Sequence, residues 1–244
     1  MRTSIKTKFL VAISSILLLL YSCKDDGYLA KIPPVPDQSF VEEFDTATAA
    51  LSRGWQFVNT SLPKGGGVWQ NGGSIPPFFN AYSNKGNYAG FIGVDYSSTS
   101  AQQGTISNWL ISPSIIMQNG DKIIFYTRAY QLFDGVSDTT DFGNSLQVRM
   151  NPTNDSVDVG QGLDYGSFSQ ILLYINPNLI YSSVIHPDVF AYPSQWTRFE
   201  VTVTGLSAAQ KSRFGFRYYV TNGGSNGNAT GIGIDSVAYR SIGH

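Results

Sequence analysis

Residues 196–204 alternate strictly, with Phe199, Val201 and Val203 on one side of an extended backbone and Arg198, Glu200 and Thr202 on the other. Successive side chains of a strand point to opposite faces, so a period of two describes a strand with one face in a core and the other outside it. Residues 213–220 repeat the pattern, Phe214, Phe216 and Tyr218 opposing Arg217 and Tyr219. In residues 231–239, Ile232 and Ile234 oppose Gly233, Asp235 and Val237, so Asp235 is not simply on the outer face of a uniform strand. Further β-rich runs between turn signals cover 39–44, 55–59, 78–82, 88–94, 106–112, 123–130 and 145–150. Ten such runs without a repeated βα unit predict an all-β fold: a two-sheet antiparallel sandwich wound as a jelly roll.

Composition agrees, since charged residues make up only 14% of the chain, aromatic residues another 14%, and glycines number 25. That mixture suits sheets joined by Gly and Asn turns rather than a helical bundle. Residues 151–194 are the exception, having few alternating runs and several breakers. Within them, 167–175 reads as a short helix with Ile171, Leu172 and Ile175 on one face, ended by Asn176-Pro177. The expected architecture is therefore a sandwich with one irregular, partly helical insertion.

The beginning of the chain reads as an address. Arg2, Lys6 and Lys8 precede an apolar run at 9–20 that is too short to span a bilayer, the pattern of a secretory signal. Leu20-Tyr21-Ser22-Cys23 resembles a bacterial lipobox, in which the cysteine is acylated and becomes the mature N-terminus. The Lys24-Asp25-Asp26 that follows resembles the export signal that takes lipoproteins of Bacteroidota-type cells to the outer face of the outer membrane. Cys23 is the one cysteine, so no intrachain disulfide forms. These signals predict a signal peptide at 1–22, a lipidated Cys23 with a Pro-rich tether at 23–37, and a domain at 38–242. Several acyl chains, at about 0.8 kcal/mol per buried CH₂, anchor such a protein to the membrane permanently. Loss of 1–22 removes three basic residues and no acidic ones, leaving 13 basic against 17 acidic side chains. That balance argues against nucleic acid as a partner.

Catalytic motifs are sparse. The mature chain has two histidines, His186 and His244, and no G-x-S-x-G elbow. Gly65-Gly66-Gly67 and the Gly-rich run at 222–227 lack the Lys-Ser/Thr of a phosphate loop. Glycoside hydrolysis needs only two carboxylates about 5 to 9.5 Å apart, and Asp134, Asp138, Asp141, Asp155, Asp158, Asp164 and Asp188 supply candidates.

Several stretches in order carry a family resemblance: Phe40-Val41-Glu42-Glu43-Phe44 with Gly54-Trp55, then Asn108-Trp109-Leu110-Ile111-Ser112-Pro113, then Ser145-Leu146-Gln147-Val148-Arg149, then 213–220 with 231–237. Together they resemble the choice-of-anchor J domains of bacterial surface proteins, relatives of the cleaved-adhesin domains of haemagglutinin regions. The resemblance implies a jelly roll, often with a structural Ca²⁺ joining the first and last strands. Glu43, Asp235 and, third, Asp45 are then the matching ligand positions, with an ion pair between Asp235 and Arg217 as the alternative. It further implies adhesion, or binding of glycan or protein, without catalysis. Exposed aromatic rings that stack on sugars are expected among Trp69, Phe79, Tyr82, Tyr165 and Tyr192. Two alternatives stay open, a glycan-degrading hydrolase and an accessory subunit of an outer-membrane uptake complex marked by a broad apolar patch.

Overall fold

In the computed structural model, which describes residues 34–83 and 88–242, the chain runs through β1 (Phe40–Glu42), α1 (Ala47–Ser52), β2 (Gln56–Asn59), β3 (Gln70–Asn71), β4 (Ile92–Asp95) and β5 (Gly104–Ile111). It continues through β6 (Ile115–Met117), β7 (Lys122–Ala129), β8 (Leu132–Phe133), β9 (Thr139–Thr140), β10 (Leu146–Met150) and β11 (Gln170–Ile175). The last elements are β12 (Thr197–Thr202), β13 (Gln210–Ser212), β14 (Phe214–Gly223) and β15 (Gly231–Arg240). The expected signal peptide, Cys23 and the tether as far as residue 33 lie outside the described residues.

Two antiparallel sheets face each other. The first has the order β12-β7-β15-β4-β3, with β1 also on β15, and the second has the order β11-β10-β14-β5-β2. The chain passes repeatedly from one sheet to the other, so most neighbours within a sheet are distant in sequence, as in a jelly roll. The alternation read from the sequence sets the core. Phe125, Val201, Ile232, Ile234 and Tyr239 of the first sheet and Leu110, Val148, Phe214, Phe216 and Tyr218 of the second belong to one buried cluster. Rings join the layers: Phe125 meets Phe216 edge to face at 4.9 Å, and Phe214 stacks on Tyr239 at 6.2 Å. Truncating any of these large side chains to alanine should cost about 3–5 kcal/mol.

The last strand changes partner midway. On one edge β15 pairs with β4 through Gly231–Ile234 and then with β1 through Val237–Tyr239, while β7 runs along the other edge. The register slips between Asp235 and Ala238, and Ser236 takes the left-handed conformation at φ 50°. A bulge of this kind re-aims side chains. It explains why Asp235 breaks the simple two-face pattern.

Two local expectations need correction. Residues 167–175 do not form a helix: Gln170–Ile175 is β11, an edge strand on β10, and a bulge between Val148 and Arg149 blurs its alternation. Residues 78–82 are loop rather than strand. The α-helix among the described residues is α1, whose first turn is capped by the Thr46 hydroxyl accepting from Ala49 N.

Candidate functional site

The outer face of the first sheet is where aromatic side chains collect. On β7 the outward positions include Tyr126 and Arg128, and beyond the strand Tyr130. Across the sheet, Arg198 of β12 and Asp235 of β15 pair with Tyr126 from its two sides, and Gly233 lies opposite Arg128. The loop at 78–82 drapes over this face. Phe78 stacks on Tyr130 at 4.4 Å, Phe79 on Phe91 at 4.8 Å, and Tyr82 on Tyr126 at 3.7 Å. Trp196 stands edge-on to Phe79, Tyr82 and Phe91, and its indole N–H donates to the Asn80 carbonyl at 2.9 Å.

Glycine makes the approach possible. A Cβ on Gly233 would sit 2.8 Å from the Phe79 ring and 2.9 Å from Phe91, so only glycine leaves the sheet surface open to the loop's rings. The Arg128 guanidinium lies 4.3 Å over the Phe79 ring, and burial pulls its pKa down. Its Nε is buried without a hydrogen-bond partner. Tyr82 is 44% exposed, its phenol held above the ordinary tyrosine range first by the Tyr126 hydroxyl and then by desolvation. The result is a partly exposed aromatic ridge beside guanidinium groups, chemistry suited to stacking against the C–H face of a sugar ring.

Asp235 ties the ridge to the sheet. Its Oδ2 accepts from the backbone N–H of Tyr82 at 2.8 Å and of Ser83 at 3.0 Å, and its Oδ1 from Ser236 N at 2.7 Å. Burial, followed by the nearby charge of Glu43, pushes its carboxyl up to about 6, against the opposing pull of those N–H groups. Asp235 is therefore held by main-chain donors from a distant loop. Arg217 lies on the opposite sheet, so the expected alternative of an ion pair between these two residues is corrected.

The other expected residues scatter. Glu43 accepts from the Ser236 hydroxyl, which brings it beside Asp235, whereas Asp45 is an exposed side chain whose carbonyl accepts from Asn71. Among the described residues no group of three His, Cys, Asp or Glu side chains forms a metal-binding cluster, so the three carboxylates do not converge. Glu43 and Asp235 alone remain as a fitting pair. Trp69 and Tyr192 are core residues, each about 1% exposed, and offer no ring to a ligand. Tyr192 is fixed there by its hydroxyl contact with Thr127. Tyr165 is 39% exposed but belongs to the second sheet's side, where Arg149 lies 4.2 Å over its ring.

The loop carboxylates are bound up in local turns. Asp134 Oδ1 accepts from Val136, Ser137 and Asp138 backbone N–H groups, which hold its pKa down. Asp138 accepts from Thr139 and Ile185, and Asp155 from Ser114. Asp141 is fully buried, with Oδ1 accepting from Gly143 and Ser182 and Oδ2 unpartnered, and burial raises its pKa.

Sequence reasoning missed Tyr126, Arg128 and Trp196 as members of the ridge. The alternation in 123–130 does mark Tyr126 and Arg128 as outward, but nothing local to them announces the loop that covers them.

Solved structures resemble this fold along most of the chain. The K1 and K3 cleaved adhesin domains of Lys-gingipain from Porphyromonas gingivalis W83 are 19% and 16% identical, and the match covers 84% and 85% of this chain and 99% and 100% of theirs. The K2 domain of Lys-gingipain is 15% identical over 84% of this chain and 99% of its own. Each has a TM-score of 0.50. This chain shares their fold. No family profile and no curated protein matches the sequence. At these identities the likeness establishes an adhesin-like β-sandwich and leaves the ligand to be argued from the residues.

Proposed function

We propose that this chain is a non-catalytic, lipid-anchored binding domain at the cell surface, and that the ridge of Tyr82, Tyr126, Trp196 and Phe79 recognises carbohydrate. The observation that carries this reading is Tyr82, an exposed ring preset by stacking on Tyr126 and by the grip of Asp235 on its own backbone. A ring already fixed in place loses little conformational entropy on binding. Attachment through Cys23 to the outer membrane places such a ridge within reach of external glycans. The cleaved adhesin domains that share the fold support a role in adhesion.

Glycan-array binding of the full chain in detergent, compared with Tyr82→Ala and Trp196→Ala, tests the ligand class. Binding by the wild type that both variants lose supports the reading, and silence on every glycan overturns it. Metabolic labelling with palmitate tests the anchor, and incorporation that persists in Cys23→Ser would refute it.

Glu43 and Asp235 are the residues that would hold a Ca²⁺ ion between β1 and β15. The ion would neutralise the buried Asp235 carboxylate and the Glu43 carboxylate beside it, whose charge adds to the cost of burying Asp235.

A second reading, a protein partner, is favoured by one other region. The β8–β9 hairpin and the segment at 181–190 are joined by Val184 N donating to Thr139 O, and they carry Phe133, Val136, Val184, Val189 and Phe190, all well over half exposed. Apolar side chains gathered on adjoining loops suit a protein contact. Changing Val189 and Phe190 to serine separates the two readings, because it should leave glycan binding intact.

A further inference from the structure

The outer face of the second sheet holds two buried arginines that form no ion pair among the described residues. Arg217 is 1% exposed and sits between Trp109, 5.1 Å away, and Tyr219, 4.2 Å away. It donates to Ser107 Oγ at 3.0 Å and to the carbonyls of Gly162 at 2.5 Å and Asp164 at 2.7 Å. Arg149 is 8% exposed and donates to the carbonyls of Phe168 at 2.8 Å and Ser169 at 3.3 Å.

Both arginines reach the same oxygen, Gln147 Oε1, at 2.8 Å from Arg149 Nε and 3.3 Å from Arg217 Nη1. Two guanidinium groups of like charge thereby meet at one neutral oxygen. Every acceptor they use is neutral, and among the described residues neither makes an ion pair. Asp164 bonds Arg217 through its carbonyl, its Oδ1 being taken by the N–H groups of Tyr165 and Gly166, and its carboxylate charge is the smallest of the influences on Arg217, forming no ion pair. Burial pulls both arginines down, Arg217 to about 10, with the charge of Arg149 adding to the fall at Arg217.

Desolvated cations that lack an anion are costly, and hydrogen bonds to carbonyls offset only part of that cost. Arg149 Nη2 donates to no protein group among the described residues and is not among their fully buried unpartnered atoms, so this nitrogen keeps a small contact with solvent. Beside it the exposed Tyr165 ring has the guanidinium on one face and leaves other surface to a ligand.

We infer that Arg149, backed by Arg217 and flanked by Tyr165, forms a second binding site for an oxyanion, the carboxylate or sulfate group of an acidic polysaccharide. This site lies on the opposite sheet from the aromatic ridge and does not depend on it. The geometry suits the ligand in three ways. Guanidinium groups pair with carboxylate and sulfate oxygens by charge-assisted hydrogen bonds. A tyrosine ring takes the sugar's apolar face. A chain whose formal net charge is −1 has no general attraction for polyanions, so retention by one would report a local site.

The test is native gel electrophoresis of the full chain in detergent through gels containing polygalacturonate, chondroitin sulfate or neutral dextran. Retardation by polygalacturonate, chondroitin sulfate or both, but not by dextran, is expected; polygalacturonate carries carboxylates alone, so retardation by it assigns a carboxylate, and retardation by chondroitin sulfate alone, which carries both groups, points to the sulfate. Arg149→Gln keeps a polar side chain without the charge and should weaken retardation at least tenfold. Tyr165→Glu, at an exposed ring, should do the same with an unchanged near-ultraviolet circular dichroism spectrum, and it serves where Arg149→Gln perturbs the fold. Raising NaCl to 0.5 M should weaken the interaction further. Absence of retardation by either acidic polymer, or equal retardation of folded wild type and variants, overturns the proposal.

Discussion

Asp235 grips the backbone of one ring of a stacked pair and is the cross-strand partner of the other: its carboxylate accepts the backbone N–H of Tyr82 at 2.8 Å, and it pairs in register with Tyr126, the ring on which Tyr82 stacks. The loop carrying Tyr82 is thus pinned at backbone and side chain by residues more than forty and more than 150 positions away. The expected result of Asp235→Ala is a loss of about 2–4 kcal/mol, from N–H groups of Tyr82, Ser83 and Ser236 left without an anionic acceptor. Urea denaturation measures it, and a loss within 0.5 kcal/mol of zero, about what an ordinary surface substitution costs, would contradict the pinning role.

Gly233→Val tests the approach of the loop to the sheet. The added side chain collides with Phe79 and Phe91 and should displace the ridge at a cost of about 1–3 kcal/mol. Glycan binding should fall more than it does in a core variant of equal stability loss, and isothermal titration calorimetry on both would decide the point.

The layers of this fold were legible because alternation is local. Phe199, Val201 and Val203, or Phe214, Phe216 and Tyr218, need only their own strand to declare an inner face, and all six pack into or against the core. What the sequence hid depends on chain segments that meet only after folding. Arg217 was correctly placed opposite Phe216, yet it is buried because the loop around 162–168 closes over it, and Trp109 with Phe168 makes a separate apolar cluster there. Ile171, Leu172 and Ile175 read as the face of a helix because a bulge in the neighbouring strand spoils the period of two. Trp69 and Tyr192 lie in irregular segments, where burial has no periodicity to announce it. At the site, Asp235 was legible as a buried acid in need of partners, but its donors, Tyr82 and Ser83, come from the far side of the sequence.

Asp141 gives a pH dependence of definite sign. Burial raises its folded-state pKa above the unfolded value. Unfolded chains therefore lose this proton first as pH rises from about 4, and stability falls until the folded carboxyl has also ionised. Below the unfolded pKa both states are protonated and no penalty exists. Asp141→Asn removes the charge and keeps an acceptor for Gly143 and Ser182. Its melting temperature should match the wild type near pH 3.5 and exceed it increasingly toward pH 7, whereas a constant difference across that range would contradict the argument.

Calcium should act at Glu43 and Asp235. Thermal melts at pH 7 in 5 mM CaCl₂ (about) and in excess EDTA should differ by several degrees for the wild type, since binding only the folded state stabilises by mass action. The difference should vanish in Glu43→Gln, and equal melts of the wild type in both buffers would remove calcium from the account.

The claim that the ridge on the first sheet is the carbohydrate site is tested most directly by the indole N–H signals of the chain's four tryptophans. Trp55, Trp69 and Trp109 are buried, and Trp196 alone stands in the ridge. In a ¹⁵N-correlated spectrum of the full chain in detergent, saturation with a neutral glycan selected on the array should shift the Trp196 indole and leave those of Trp55 and Trp109 in place. A bound glycan that leaves the Trp196 signal unmoved would contradict the assignment.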